Sequence, residues 1–396
     1  MNTSVSAPTI GKAQYGNGDS KLFALAMKTG FLTLITVGIY RFWAKTRIRQ
    51  YFWGNTRIDG EAFEYTGTGL EKLLGFLIAV VVLAVYLAVV QLILFQFGLA
   101  FVFQPRTQAQ VLMQLAVIYL SFFAILPLLL FAQYRSRRYK LARTRFRGIR
   151  FGMVGAAGGY VWRAIVYLVL TICSLGVLWP LMTFRLEKYM TDRSWYGDSK
   201  FVQNGKWTSL YAAMKHIFIA VGIMVVVGAV GALTKSPVLF GLGIGLGYLW
   251  GIFGFVHYRV QSFAYLTNHK ALGDSITFST FPSTGTVLGK IILGSILMGI
   301  ITGVVAAIAF FVVGKALIQS GNPQMIAIVG AVAYLALLIF VSALSLVLIT
   351  EPIIKHIVSE TRVNNMDAMA AIKQRVGDKG ADAEGFADAL DWGGAI

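Results

Sequence analysis

Residues 38–77 read GIYRFWAKTRIRQYFWGNTRIDGEAFEYTGTGLEKLLGFL, and this stretch sets the plan of the chain. It crowds Arg41, Lys45, Arg47, Arg49 and Arg57 among aromatic residues, turns at Asp59-Gly60, and passes through Gly67-Thr68-Gly69 into a long apolar run. Residues 55–58 and 61–65 flank Asp59-Gly60, a pair suited to the positive φ angles of a tight β-hairpin.

Weaker copies of this plan recur downstream. Tyr51 to Phe63, Tyr139 to Phe151 and Tyr189 to Phe201 share one spacing, with Thr56, Thr144 and Ser194 at the equivalent place, and Tyr265 to Phe278 is a looser fourth copy. Upstream, residues 33–38 (TLITVG) match residues 171–176 (TICSLG). Shared polar and glycine positions at fixed spacing point to an internal repeat. A two-stranded hairpin is marginal by itself in water, so the four hairpins are expected to pack together or onto helix ends, as a cytoplasmic β-layer beneath a helical membrane domain.

The chain has 396 residues, of which 57% are hydrophobic and only 13% charged, a composition that excludes an ordinary soluble protein. The formal net charge of +18 raises nucleic acid as a partner. The basic residues, however, lie in short segments beside apolar runs, as the positive-inside rule and contact with anionic headgroups demand. No nucleic-acid partner is expected. Cys173 is the one cysteine, so no intramolecular disulfide can form.

Six runs are long enough to cross a bilayer, which takes about 20 apolar residues each. They fall into three hairpins: 73–103 with 108–131, 217–233 with 238–256, and 287–313 with 325–349. Their turns carry Pro105, Pro237 and Pro323 among Gly, Asn, Ser and Thr. The basic segment 135–150 (RSRRYKLARTRFRGIR) reads as a cytoplasmic loop. Two further apolar stretches, 22–43 and 164–184, either span or re-enter. Re-entry puts every polar segment on one face, whereas spanning gives eight crossings. The one-sided arrangement is favoured because the polar segments resemble one another.

The expected fold class is thus a mainly α polytopic membrane protein. It has three transmembrane helical hairpins, two interrupted or re-entrant apolar segments, and small cytoplasmic β-hairpins. The expected divisions are a disordered tail at 1–14, a first repeat half at 15–158 and a second at 159–286. A third hairpin at 287–350 and a polar cytoplasmic tail at 351–396 follow. No signal-peptide pattern is visible, so insertion is expected to rely on the spans themselves.

The segments YRFWAKTRIRQYFWGNTRIDGEAFEYTGTG (residues 40–69), TLITVGIY (33–40) and EGFADALD (384–391) resemble the YjgN family of bacterial inner-membrane proteins. The resemblance covers nearly the whole chain. It implies a multi-pass protein of the bacterial inner membrane and brings no catalytic residues to carry over.

The side chains point to binding rather than catalysis. His216, His257, His269 and His356 are scattered singly, and no metal site or cofactor is expected. No nucleophile elbow or Walker loop is present. Arg41, Lys45, Arg47, Arg49, Arg135, Arg137, Arg138, Lys140 and Arg143 act as topology determinants. They are also candidates for an anionic-headgroup site, with guanidinium forks matched to phosphate oxygens. Trp43, Tyr51, Trp53 and Tyr139 are candidate interfacial anchors. Gly67 and Gly69 are candidates for cradling an anion at a helix N-terminus, against the plainer reading of a turn.

Within the membrane, Lys28, Gln91, Gln96, Gln114 and Arg163 should face protein or a water-filled cavity, and mark a candidate pathway. The acidic tail 378–391 offers an electrostatic clamp on the basic segments. The expected function is transport or conduction of an unidentified solute or lipid, without an enzymatic step. The alternative is a non-enzymatic anionic-phospholipid-binding or envelope scaffold protein. Membrane lipid, anionic phospholipid above all, is the expected partner.

Overall fold

The computed structural model describes residues 9–16, 21–99 and 104–375. Among them, ten short strands close into a barrel. These are β1 (Ile10–Tyr15), β2 (Thr56–Ile58), β3 (Glu61–Tyr65), β4 (Thr144–Phe146), β5 (Ile149–Met153), β6 (Ser194–Tyr196), β7 (Ser199–Gln203), β8 (Lys270–Leu272), β9 (Ile276–Thr280) and β10 (Thr361–Asn364). Every neighbouring pair is antiparallel, in the order β1-β10-β9-β8-β7-β6-β5-β4-β3-β2. Four hairpins contribute eight strands, and the two ends of the chain supply the closing pair, β1 with β10. Closure leaves no open sheet edge.

Turn chemistry explains the hairpins. Asp59 and Gly60 sit at φ 53° and 82°, and Arg147 and Gly148 at 49° and 75°. These are the paired positive angles of a two-residue hairpin turn, which the absent Cβ of glycine makes accessible. Alternation along each strand then sends one row of side chains inward. Cross-strand partners Ala13 with Ile58, Phe63 with Phe146, Phe151 with Tyr196, Phe201 with Leu272, and Phe278 with Val363 make up that row. The lumen is a packed core in which Tyr196 and Val363 are fully buried, and the rings of Phe151 and Tyr196 lie 4.6 Å apart. Met366, Met369 and Ile372, just after β10, pack into the same core.

Helices leave one end of this barrel. Five times the chain runs out from a longer strand and returns into a short one. The first excursion is α1 (Lys21–Ile35) and α2 (Arg41–Asn55). The second is α3 (Gly69–Gln96) and α4 (Gln108–Ala142), the third α5 (Ala157–Cys173) and α6 (Trp179–Thr191), the fourth α7 (Tyr211–Leu233) and α8 (Pro237–Asn268). The last is α9 (Thr284–Ala309), a π-helical turn (Phe310–Gly314), α10 (Lys315–Ser320), α11 (Pro323–Ser345), a second π turn (Leu346–Thr350) and α12 (Glu351–Ser359). Among the described residues, six continuous helical stretches are long and apolar enough to cross a membrane. Five of the six starts are set by side-chain caps: Thr68, Thr107, Ser236, Ser283 and Asn322 each accept a backbone N–H of the first turn.

Several expectations need correction. Residues 10–14, assigned to a disordered tail, form most of β1, because their partner Thr361–Asn364 lies at the far end of the chain; residues 1–8 fall outside the described residues. Residues 351–364, assigned to a polar tail, are α12 and β10. Here α12 begins at Glu351-Pro352 directly after the π turn, which accommodates a proline that lacks an N–H. The proposed clamp at 378–391 lies outside the described residues. The basic segment 135–150 is not a loop: Arg and Lys are good helix formers, so α4 runs on to Ala142 and β4 follows. The stretches 22–43 and 164–184, for which interruption or re-entry is the favoured expectation, each break into two helices. Both double back, at residues 36–40 and 174–178, and both ends of each join the same barrel.

A candidate ligand chamber between the barrel and the helices

The feet of the returning helices, one or two turns before each short strand, build the site. Thr56, Thr144 and Ser194 open their strands, and each donates its hydroxyl to the carbonyl four residues earlier, at 2.9, 2.7 and 2.8 Å. This bond fixes the helix-to-strand junction. In the fourth excursion the same place holds Lys270, whose side chain reaches inward instead.

Seven residues before these junctions stand Arg49, Arg137 and Glu187. Arg137 on α4 grips Glu187 on α6 with both terminal nitrogens, at 2.6 and 2.8 Å. Lys270 Nζ approaches the same carboxylate at 3.3 Å, and the Thr191 hydroxyl donates to it at 3.1 Å. Burial alone pushes the Glu187 carboxyl up. The charges of Arg137 and Lys270, with the hydrogen bonds from Arg137 and Thr191, overcome that and hold it at about 2. Burial and the Arg137 charge push Lys270 down, against the pull of Glu187. Arg49 is fully buried and donates to the Tyr65 hydroxyl at 3.3 Å.

Five residues before the junctions stand Tyr51, Tyr139, Tyr189 and Tyr265. Their hydroxyls donate to Glu351 (2.9 Å), Glu71 (2.8 Å), the Ala156 carbonyl (3.0 Å) and the Lys206 carbonyl (3.1 Å). They tie each foot to a neighbouring segment. Tyr15 also donates to Glu351, at 3.2 Å, and burial, together with Glu351, pushes its hydroxyl far up, so it stays a donor.

Above the barrel core, between the feet of α2, α4 and α12, lies a cavity of about 470 Å³. Its walls are Phe52, Trp53, Phe63, Leu141, Phe151 and Ile354, and its polar groups are Thr56, Thr144, Arg137 and Lys140. The two hydroxyls already donate to backbone, and Thr144 also accepts from Trp53 Nε1 at 3.0 Å. The other two polar groups are Arg137, whose terminal nitrogens are held by Glu187, and Lys140. A volume of this size holds a small organic ligand or one apolar chain, and the wall suits an apolar body with a negative end.

The expected headgroup residues do not form one patch. Arg137 and Lys140 line the chamber, while Arg143 pairs with Glu71 at 3.0 Å and Arg138 donates to the Met153 carbonyl at 3.0 Å. Arg135 lies over the Phe131 ring and Arg47 over the Tyr40 ring. Arg41 is exposed and Lys45 partly buried. Among the expected anchors, Tyr139 is fully buried, Trp53 faces the chamber, Tyr51 holds Glu351, and Trp43 packs over Gly69. A Cβ at Gly69 would lie 2.6 Å from the Trp43 ring, and one at Gly67 2.7 Å from the Tyr65 hydroxyl. Both glycines therefore serve close packing.

Of the intramembrane candidates, Gln91 donates to Ser121 at 2.8 Å between α3 and α4, and Gln96 and Gln114 lie on the same pair of helices. Arg163 donates to the Gly159 carbonyl at 3.0 Å and covers the Tyr189 ring, and Lys28 is exposed on α1. None of these five lines the chamber.

Sequence reasoning missed Glu187, Lys270 and the chamber wall. The register was readable, since Arg49, Arg137 and Glu187 share one place relative to Thr56, Thr144 and Ser194. It also missed that His216 and His257 meet across α7 and α8, with ring centroids 4.6 Å apart. Among the described residues, no cluster of three or more His, Cys, Asp or Glu is placed to hold a metal ion.

Six long apolar helices rising from one end of a closed β-barrel define a polytopic helical membrane protein. The chain belongs to the family described as "Bacterial protein of unknown function (DUF898)", whose model matches residues 13–289. It is similar to "Inner membrane protein YjgN" of Escherichia coli O157:H7, 24% identical over 173 residues, which is 44% of this chain and 38% of that protein. It is also similar to the protein of that name in Escherichia coli strain K12, 23% identical over 169 residues, 43% of this chain and 37% of the relative. The matched region spans well under half the length of these curated relatives. No solved structure matches the chain. It is a multi-pass inner-membrane protein.

Proposed function

We propose that this protein takes up an anionic amphiphile, of the acidic-phospholipid or fatty-acyl class, in the chamber between barrel and helices, as one station in lipid transport without an enzymatic step. One observation carries this reading: the cavity of about 470 Å³ joins six apolar wall residues to Arg137 and Lys140 at the level where the membrane helices enter the barrel. A cation at the rim of an apolar cleft recognises a negative head on a hydrocarbon body. The filled barrel lumen argues against a solute conducted along the barrel axis, so the ligand enters from the bilayer.

In this reading the barrel faces the cytoplasm, because the helix feet and the barrel strands together carry most of the arginines. The five excursions descend from a duplicated strand–helix–helix–strand unit, and the two short ones re-enter from the barrel side. The second reading, an envelope scaffold holding anionic lipid on its surface, draws on the exposed Arg41 and on Arg47.

Native mass spectrometry of protein released from its own membrane tests the reading. Wild type is compared with Leu141→Trp, which fills the chamber and keeps its charges, and with Arg137→Gln. Retained anionic lipid that Leu141→Trp removes supports the chamber. Lipid retained equally by all three contradicts it.

A further inference from the structure

The turns of the helical excursions fall into two kinds. Among the described residues, the turns of the long ones carry polar groups: Gln104, Arg106 and Thr107 after the apolar Phe97-Gly98-Leu99 in the first, Thr234-Lys235-Ser236 in the next and Ser320-Gly321-Asn322 in the last. The two short ones end in apolar turns with the same construction. In the first, Gly38 N donates to Thr33 O at 2.7 Å, Ile39 N to Thr36 O at 3.1 Å, and Tyr40 N to the Thr36 hydroxyl at 2.9 Å. In the other, Gly176 N donates to Thr171 O at 2.8 Å, Val177 N to Ser174 O at 3.1 Å, and Leu178 N to the Ser174 hydroxyl at 3.0 Å.

The most exposed position of each tip holds Val37 or Leu175, 92% and 95% exposed, in the left-handed region at φ 49° and 51°. Gly or Asn is the usual choice there when the surroundings are water. A large apolar side chain at that place, on a turn whose N–H groups bond internally, is suited to hydrocarbon.

Length says where that hydrocarbon is. With 15 residues in α1 and 17 in α5, the short excursions reach roughly 22–25 Å from the barrel, whereas the 28 residues of α3 reach roughly 42 Å. Against α3 the difference exceeds half of the ~30 Å apolar thickness of a bilayer, and against α7, with 23 residues or roughly 34 Å, it is about a third. The Leu175 tip therefore stops in the bilayer core, and the Val37 tip stops in the same leaflet, where the exposed Arg41 four residues on can snorkel to the headgroups. The first excursion is braced: α1 packs on α11 through the edge-on pair Phe23 and Phe340, with centroids 6.0 Å apart, and through Gly30 against Ile339.

We infer that the protein is a one-sided membrane wedge, with five helical excursions in the leaflet next to the barrel and three in the opposite one. The surplus is four helix cross-sections, about 400 Å² at a helix diameter of 10–12 Å. A rigid surplus in one leaflet expands that leaflet, so the protein gathers on membrane that is convex toward the barrel and bends flat membrane that way. This rests on the one-sided placement proposed above, and it is independent of any ligand in the chamber.

Cys173, exposed at the end of α5 beside the Ser174-Leu175 tip, is a native reporter, so the test uses the unmodified chain. The full-length protein is labelled there with a small fluorophore and reconstituted into vesicles whose lipids carry bromine at graded depths. Label-free protein is tested for impermeant maleimide from each side. Surface density of barrel-outward protein is then read against vesicle diameter. The wedge predicts strongest quenching near the acyl-chain ends, no maleimide labelling from either side, and density rising several-fold from large to small vesicles. It also predicts that Leu141→Trp leaves all three readouts unchanged. Maleimide labelling from the side away from the barrel overturns the one-sided placement and the wedge together. A deep Cys173 with density independent of diameter overturns the wedge alone. A label quenched by no depth of bromine means that protein covers the tip, and also overturns it.

Discussion

Arg137 holds Glu187 through both guanidinium nitrogens, at 2.6 and 2.8 Å, and so joins the foot of α4 to the foot of α6 across the seam where the membrane helices meet the barrel. Lys270 closes on the same carboxylate from β8, so three successive excursions share one cluster of charge. Breaking a paired, poorly solvated cluster leaves charge without a partner, and that is worse than replacing the cluster by apolar groups. Arg137→Met alone is expected to lower stability by about 3 kcal/mol, the low end for a pair that keeps some solvent contact. Combining it with Glu187→Leu and Lys270→Met should recover most of that loss. Unfolding in mixed micelles of rising SDS content reads both.

The same carboxylate gives a pH signature. Its folded value of about 2 lies below the ordinary 4.5, so its contribution is fully present above pH 4.5 and is lost as pH falls toward 2. The stability difference between wild type and Glu187→Gln should be about 3 kcal/mol at neutral pH and shrink toward zero across that window. Subtracting the variant removes the titration of the other carboxylates.

Closure of the barrel by the two chain ends is open to a direct chemical check. Lys12 and Arg362 are partners across β1 and β10, and both are exposed. Directly opposed residues of antiparallel strands lie within disulfide range. In a Cys173→Ser background, Lys12→Cys with Arg362→Cys should cross-link on mild oxidation and shift on a non-reducing gel. The same pair placed at Lys12 and Arg145 should not.

The barrel core should respond as a packed interior. Phe146 is 1% exposed and stacks at 4.8 Å on Phe63. Phe146→Ala is expected to lower stability by about 3–5 kcal/mol through lost burial and a residual cavity. Trp162→Ala, at a residue 68% exposed on α5, should change it by less than about 1 kcal/mol.

The six long helices were legible in the sequence because uninterrupted apolar composition and the capping residues Thr107, Ser236-Pro237 and Asn322-Pro323 carry local information. The four hairpins were legible for the same reason, through Asp59-Gly60 and its echoes. Closure was not: Ile10–Tyr15 and Thr361–Asn364 have no hairpin turn between them to mark them as a pair, and each finds its partner only at the opposite end of the chain. Re-entry of 22–43 and 164–184 was the favoured reading, but the turn positions at Val37 and Leu175 were hidden because neither residue type favours a left-handed turn. Arg137 stood out within a basic run, but its partner Glu187 carries no local mark. Lys270 was detectable only as the odd member at a place otherwise held by Ser or Thr.

The most direct test of the chamber is to ask what touches its wall in a living membrane. A photo-cross-linking amino acid at Ile354, which faces the cavity, is irradiated in cells, and the adduct mass is compared with that from Val226, 63% exposed on α7. The account predicts an adduct at position 354 enriched in one anionic amphiphile relative to position 226, and abolished by Leu141→Trp. Adducts at 354 that match the bulk lipid composition seen at 226, or that persist when Leu141→Trp fills the cavity, would contradict it.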